Sequence, residues 1–467
     1  MTDTVHGANQ ALGSDWTIQD LHYWDERIRE QVEAFNLSCF PQEFEICDQG
    51  QMLGYMAYSG MPAHYPHWSF GKQYEKLKTL HEVGATGLPY ELVINANPSL
   101  AYLMRDNSLC QQILTMAHVY AHNDFFKNNV HFRRTEPELV VGRFKLRAER
   151  VREYVEDPSI GLERLEPFLD AAHALSWQIR RHSLIRKLDR SQQEERAIRR
   201  SQPQPDRYAR IRTRLEPEEA DLRRVPLEPE EDLLLFIRDH NPYLADWQKD
   251  LLTIVDDQAR YFLPQIQTKI MNEGWASYWH HRILGALELP EGLHLEFLVH
   301  HNQVIRPQHG GLNPYHVGFV MFNRIAEEHG EEALFEVREA EGDTSFLRRF
   351  LDERLMRELD LFEYVKRRDE LIVSRVSDED NWREVKSTLL KQVGIASVPV
   401  IRVIDADYDR SGTLLLEHEY DGRELELDYA KRTLAYVQRL WGRRVLLDTV
   451  MGNKEVRLSS EPDPRGR

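Results

Sequence analysis

What the chain lacks narrows its class first. Three cysteines in 467 residues, Cys39, Cys47 and Cys110, are an odd number at no metal-ligand spacing. A disulfide framework is therefore excluded, and a reducing compartment fits. The three thiols read as small buried side chains and not as nucleophiles. No apolar run approaches the roughly 20 residues that a membrane helix needs. Met1 to Ser14 is polar, without the basic start and apolar stretch of a signal peptide. The expectation is a cytoplasmic protein with no membrane insertion. A basic surplus is absent too: the formal charge of −17 argues against nonspecific binding to nucleic acid or to an anionic membrane surface. There is no Gly-x-x-x-x-Gly-Lys-Ser/Thr phosphate loop, no Gly-x-Ser-x-Gly elbow and no Gly-x-Gly-x-x-Gly after a strand. Internal repeats and low-complexity arrays are missing as well.

Against those absences stand two segments far apart in the chain. The first is His118-Val119-Tyr120-Ala121-His122-Asn123-Asp124-Phe125-Phe126-Lys127-Asn128, and the second is Asn272-Glu273-Gly274-Trp275-Ala276-Ser277-Tyr278-Trp279-His280-His281. Two His at i and i+4 stand one above the other on a helix face, so both imidazoles reach one ion. A Glu from a second helix adds a third ligand and leaves a fourth position open, as a catalytic zinc requires. With 20 His in the chain, roughly one such pair arises by chance, so the pair alone is weak. Two readings follow for His118, His122 and Glu273: ligands of Zn²⁺ or a similar divalent metal, or buried, hydrogen-bonded core residues. Asp124 and His280 are the candidate catalytic bases. Asp124 lies two residues past His122, which points it roughly to the other side of the helix. His280 and His281 lie two turns beyond Glu273 and offer a fourth ligand or an orienting partner. Asp257 is a further candidate for orienting an imidazole. The loops holding His64, Tyr65 and His67, and His301, Asn313 and Tyr315, either line a pocket or pack as aromatic loops.

Periodicity predicts a mainly α chain with a smaller α+β part. Residues 15–180 read as mostly helical: Leu21, Tyr23, Trp24, Ile28 and Val32 keep a helical period, and a short strand is expected around Tyr90–Asn95. Residues 181–232 carry Arg-rich and then Glu-rich blocks around Ser201-Gln202-Pro203-Gln204-Pro205, the composition of an exposed insertion or linker. Helix resumes over 233–369, which is expected to pack with the N-terminal region. Residues 370–460 read as a separate α+β domain, with a hairpin across Val398–His418, a helix over Leu427–Trp441 and a last strand at Arg444–Leu447.

The segments around His118 and Glu273 resemble gluzincin metallopeptidases of the M1 aminopeptidase type, which read His-Glu-x-x-His and then Asn-Glu-Gly-Phe-Ala. That resemblance implies a gluzincin-like core with Glu273 as a zinc ligand. It departs at Val119, which stands where those enzymes carry the general-base Glu, and in the much longer gap between the segments. A wider resemblance rests on Trp16-Thr17-Ile18, Pro41-Gln42-Glu43-Phe44-Glu45, the stretch from His64 through Trp68 to Tyr74, Pro264–Met271 and Leu312-Asn313-Pro314-Tyr315. These resemble the stage V sporulation protein R (SpoVR) family of bacteria and archaea. The resemblance implies a part in sporulation, through spore cortex formation, or in a starvation-stress response. It also implies a PrkA-type AAA+ serine kinase and a von Willebrand A-like protein as partners, and it names no reaction. Two functions are therefore expected: a metal-dependent amide or peptide hydrolase, or a non-catalytic regulator or scaffold with the metal structural or absent.

Overall fold

The computed structural model describes residues 15–82, 91–181, 185–201, 221–308, 311–367, 370–375, 377 and 381–462. It is mainly helical, with 17 α-helices among the described residues and a small sheet domain toward the C-terminus, as the periodicity predicts. None of these helices is long and apolar enough to cross a membrane. The chain divides into two units: residues 1–153 with 264–397, and residues 154–263 with 398–467.

The first unit opens with a helix at Ile18–Ala34. Thr17 and Asp20 cap it reciprocally, and Leu21, Trp24, Ile28 and Val32 form its buried stripe. Tyr23, which shares the period, is exposed instead. A three-stranded sheet follows with Ser99–Met104 at its centre, parallel to Gln42–Cys47 on one side and antiparallel to Glu91–Ile94 on the other. Ser108 and Gln111 then cap a helix at Leu109–Asn128, and every residue from Gln112 to Phe126 is buried. The helix at Lys269–Ala286 is buried almost as completely. Helices buried all round lie within the core, so each polar side chain on them must find its partner inside the protein. The first turn of the second helix does this through Asp343, whose carboxylate accepts from the backbone N–H of Ile270 and of Met271, each at 2.9 Å.

One contact fixes where Lys269–Ala286 crosses the helix at Pro314–His329. A Cβ added at Gly274 would lie 2.3 Å from the Cα of Gly318, and one added at Gly318 would lie 2.3 Å from the carbonyl oxygen of Ile270. The backbones touch there, which only paired glycines permit. Asn313 caps the crossing helix with Pro314 in its first turn. Asn313 and Tyr315 therefore begin a helix, and His301 lies within the helix Glu291–Val304, where the sequence reading placed a loop region.

The second unit contains a four-stranded sheet in chain order: Ile401–Tyr408, Thr413–His418, Val445–Met451 and Lys454–Ser460. Its first and last pairs are antiparallel and the middle pair is parallel. The amphipathic helix Leu427–Trp441 links the parallel strands, burying Leu434, Val437, Leu440 and Trp441, and Gly442 ends it in the left-handed region at φ 77°. The expected boundaries at 180, 232 and 369 follow the chain serially, whereas the units interleave. Earlier chain completes the C-terminal sheet domain: Glu230 and Val403 exchange backbone hydrogen bonds of 3.0 and 2.7 Å, and Asn241 donates to the carbonyls of Leu440 and Trp441. Within the charged segment, residues 202–220 lie outside the described residues. Arg190–Ser201 is helical, and its Arg196 pairs with Glu228 at 3.2 Å.

Candidate metal centre

On the buried helix Leu109–Asn128, His118 and His122 are one turn apart, with ring centroids 4.6 Å from each other. Glu273 faces them from the second buried helix. Its Oε2 lies 3.9 Å from His118 Nε2 and 3.5 Å from His122 Nε2. One ligand atom from each residue falls within 4.8 Å of the others, and no other such His, Cys, Asp and Glu group occurs among the described residues. Ligand atoms held tetrahedrally at about 2.1 Å from one ion sit about 3.4 Å apart, so the two nitrogen–oxygen separations fit a shared metal.

The electrostatics fit as well. Glu273 Oε2 is buried and makes no hydrogen bond, an expensive state for a carboxylate oxygen unless something else satisfies it. Burial pushes the Glu273 pKa up, yet the His118 ring contact, then His122 and Lys269, outweigh it and hold the group below its ordinary value. It is therefore the anion at neutral pH. Burial first, and His118 second, lower the pKa of His122 to about 4, which keeps its imidazole neutral and able to give a lone pair to a metal.

Both imidazoles are oriented through their other nitrogen. His122 Nδ1 meets Asn272 Oδ1 at 2.8 Å, so it carries the proton and leaves Nε2 facing Glu273. His118 Nδ1 meets His280 Nδ1 at 2.7 Å, and His280 Nε2 meets His301 Nδ1 at 2.8 Å. The ring of Tyr315 stacks over His118 with centroids 6.1 Å apart. His281 touches the His301 ring at 4.6 Å and does not share the hydrogen bond to His118.

Neither candidate base stands on the side where His118, His122 and Glu273 converge. His280 is behind His118, at the nitrogen turned away from Glu273. Asp124 is fully buried in a different cluster: Arg338 donates to both its oxygens at 2.7 Å, Ser38 N–H donates at 2.7 Å and Trp275 Nε1–H at 3.0 Å. Burial raises the Asp124 pKa, against the pull of Arg338 and the N–H donors. Val119 is fully buried and supplies no carboxylate. Asp257 belongs to the second unit. His64 and Tyr65 pack into an aromatic cluster in which His64 and Phe70 centroids are 4.1 Å apart, and burial lowers the His64 pKa to about 4.

Sequence reading missed Asn272, Arg338 and Asp343. Asn272 sits inside the recognised segment, and its place beside Glu273 was the available signal. Arg338 and Asp343 come from a distant stretch with no motif of its own.

Comparison with known proteins gives this geometry a family. Residues 15–398 match the family model described as SpoVR like protein, and residues 399–452 match the one described as SpoVR-like C-terminal domain. That break falls within a residue or two of the unit boundary at 397/398. A relative from Escherichia coli (strain K12), described as uncharacterized protein YcgB, is 34% identical over 97% of this chain and 96% of its own length. No solved structure matches. The buried His–Glu cluster thus lies within the region that the larger model covers, and the chain belongs to the SpoVR family.

Proposed function

We propose that His118, His122 and Glu273 hold a divalent metal, Zn²⁺ foremost, and that the protein is a metal-dependent hydrolase acting on an amide. The supporting observation is the convergence of two imidazole nitrogens on a buried carboxylate oxygen that makes no hydrogen bond. A metal in that place supplies Lewis acidity, polarising a carbonyl and bringing the pKa of water toward neutrality. The chain supplies the rest: Asn272 and His280 orient the ligands, and the buried surroundings keep the His122 imidazole uncharged. Within the family's link to spore cortex or to starvation stress, a peptide or a peptidoglycan-type amide is the fitting substrate class.

One observation favours a second reading. Val119 is apolar, Asp124 is committed to Arg338 and His280 faces away. A centre without a nearby base suits a metal that holds structure in a regulator or scaffold, working with a PrkA-type serine kinase and a von Willebrand A-like protein.

Elemental analysis of protein purified without a His tag tests the shared premise. About one equivalent of zinc, lost in His122→Ala, is expected; a stable, folded, metal-free protein would overturn it. Hydrolysis of a peptide panel then separates the readings. Activity abolished by Glu273→Gln selects the hydrolase, and a metal-loaded protein with no turnover selects the scaffold.

A further inference from the structure

Three imidazoles run in series away from the metal centre. His118 Nδ1 bonds to His280 Nδ1 at 2.7 Å, and His280 Nε2 bonds to His301 Nδ1 at 2.8 Å. All three rings are buried, at 2%, 0% and 3% exposure. A neutral imidazole has one N–H and one lone pair, and each nitrogen–nitrogen hydrogen bond needs one of each. With all three rings neutral, the series therefore has only two consistent polarities. In one, His301 Nδ1–H donates to His280 Nε2, His280 Nδ1–H donates to His118 Nδ1, and the His118 proton sits on Nε2 facing Glu273. In the other every donor is reversed: His118 Nδ1–H donates to His280, His280 Nε2–H donates to His301, and the His301 proton sits on its outer nitrogen. A metal on His118 Nε2 is compatible with the second polarity alone, because the coordinating nitrogen must offer its lone pair.

Building on the metal reading above, we infer that His280 and His301 are positioning residues that couple metal occupancy at His118 to the tautomer of His301. From the first polarity, taken for the metal-free series, His118 Nε2 gives up its proton to water on metal binding. Its Nδ1 receives the His280 Nδ1 proton, His280 Nε2 receives the His301 Nδ1 proton, and His301 Nε2 takes one from water. One proton leaves and one enters, so the net charge of the series is unchanged. Occupancy is thereby written into the far end of the series as a reversed hydrogen-bond direction. His301 is also packed against Phe319, with ring centroids 5.1 Å apart, on the helix that starts beside Tyr315, so the signal ends on a different helix from the one that carries the ligands His118 and His122.

The test uses the full chain with ¹⁵N-labelled histidine, recorded with and without one equivalent of Zn²⁺. In the zinc form, His118 is expected to carry its proton on Nδ1, and His280 and His301 theirs on Nε2. A zinc form with His280 or His301 protonated on Nδ1, or the same tautomers with and without zinc, overturns the inference. Zinc affinity, read by competition with a chelator, gives a second arm. Losing an orienting partner weakens metal binding by about 10- to 100-fold, so that loss is expected for His280→Leu. His280→Gln, whose amide oxygen can accept from His118, should recover most of it. His301→Leu, one ring further out, carries this arm if His280→Leu does not fold. Both Leu variants binding zinc as tightly as the native chain would overturn the coupling, while His122→Ala reports on the metal reading separately. If the native chain binds zinc no better than His122→Ala, the centre itself fails, and the coupling with it.

Discussion

One helix carries two buried polar clusters that treat their carboxylates in opposite ways. At Asp124 each oxygen is served: Arg338 reaches both, and Ser38, Trp275 and Asn128 add donors. One turn earlier, His118 and His122 face a carboxylate oxygen that makes no hydrogen bond. The acid chemistry is the same, though the Asp124 side chain is 0% exposed and that of Glu273 17%, and the difference lies in the hydrogen bonds each one makes. A closed network stabilises and orders the core, whereas an open one leaves an acceptor that a bound ion would satisfy.

The largest effect that separates them is expected at the closed cluster. Asp124→Ala strands the Arg338 guanidinium, only 7% exposed, and breaking a buried pair from one side costs about 3–5 kcal/mol. Denaturant unfolding should show that loss while the refolded protein keeps its metal. Loss of metal at unchanged stability would reverse the roles given to the two clusters.

Metal removal probes the open cluster. A ligand that binds only the folded chain and is present at about 100 times its Kd adds about 2.7 kcal/mol. Chelation should therefore lower Tm, zinc should restore it, and His122→Ala should show neither response. A chelator-insensitive Tm in zinc-loaded protein would remove the contrast.

Next comes the backbone that presents Glu273. Gly318→Ala pushes a methyl into the Ile270 carbonyl at 2.3 Å; overpacking of this kind costs about 1–3 kcal/mol. Because the clash is beside Glu273, zinc affinity should fall along with stability. Asp124→Ala is expected to lower stability without lowering affinity.

The last test is a pH slope. Burial, first, raises the Asp343 pKa to about 7, against the backbone N–H groups of Ile270 and Met271. An acid with a raised folded-state pKa binds its proton more tightly folded than unfolded. Stability should therefore fall as pH rises from about 4 to about 7, by up to about 1.4 kcal/mol per unit, and then level off. Asp343→Asn should flatten that slope in metal-free protein. A slope unchanged by the substitution would assign it to other groups.

Much of this could be read in the chain beforehand, and the pattern of success is physical. His118 and His122 were legible because helical spacing alone makes them neighbours, and Leu427–Trp441 because its apolar stripe is regular. Glu273 was legible through the residues around it. The fate of Asp124 was not, since its partner Arg338 is 214 positions away and no local rule links them. Only the i+2 offset from His122 hinted that it faces elsewhere. His301 read as part of a loop because the helix around it carries no regular apolar stripe: Phe297 and His301 are its buried residues. The interleaved units escaped for a related reason, as pairing of Glu230 with Val403 leaves no trace in composition.

The glycine crossing has one more consequence. Most ligand-bearing side chains stand on elements held apart by other side chains, whose rotamers and volumes vary with sequence and temperature. Glu273 stands beside a place where two backbones meet with nothing between them, a hard stop and not a cushion. Repacking elsewhere in the core can alter how tightly the protein holds together, but the distance from the Glu273 backbone to the Gly318 helix has almost no slack to lose. The carboxylate thus keeps its reference point while the surrounding sequence drifts.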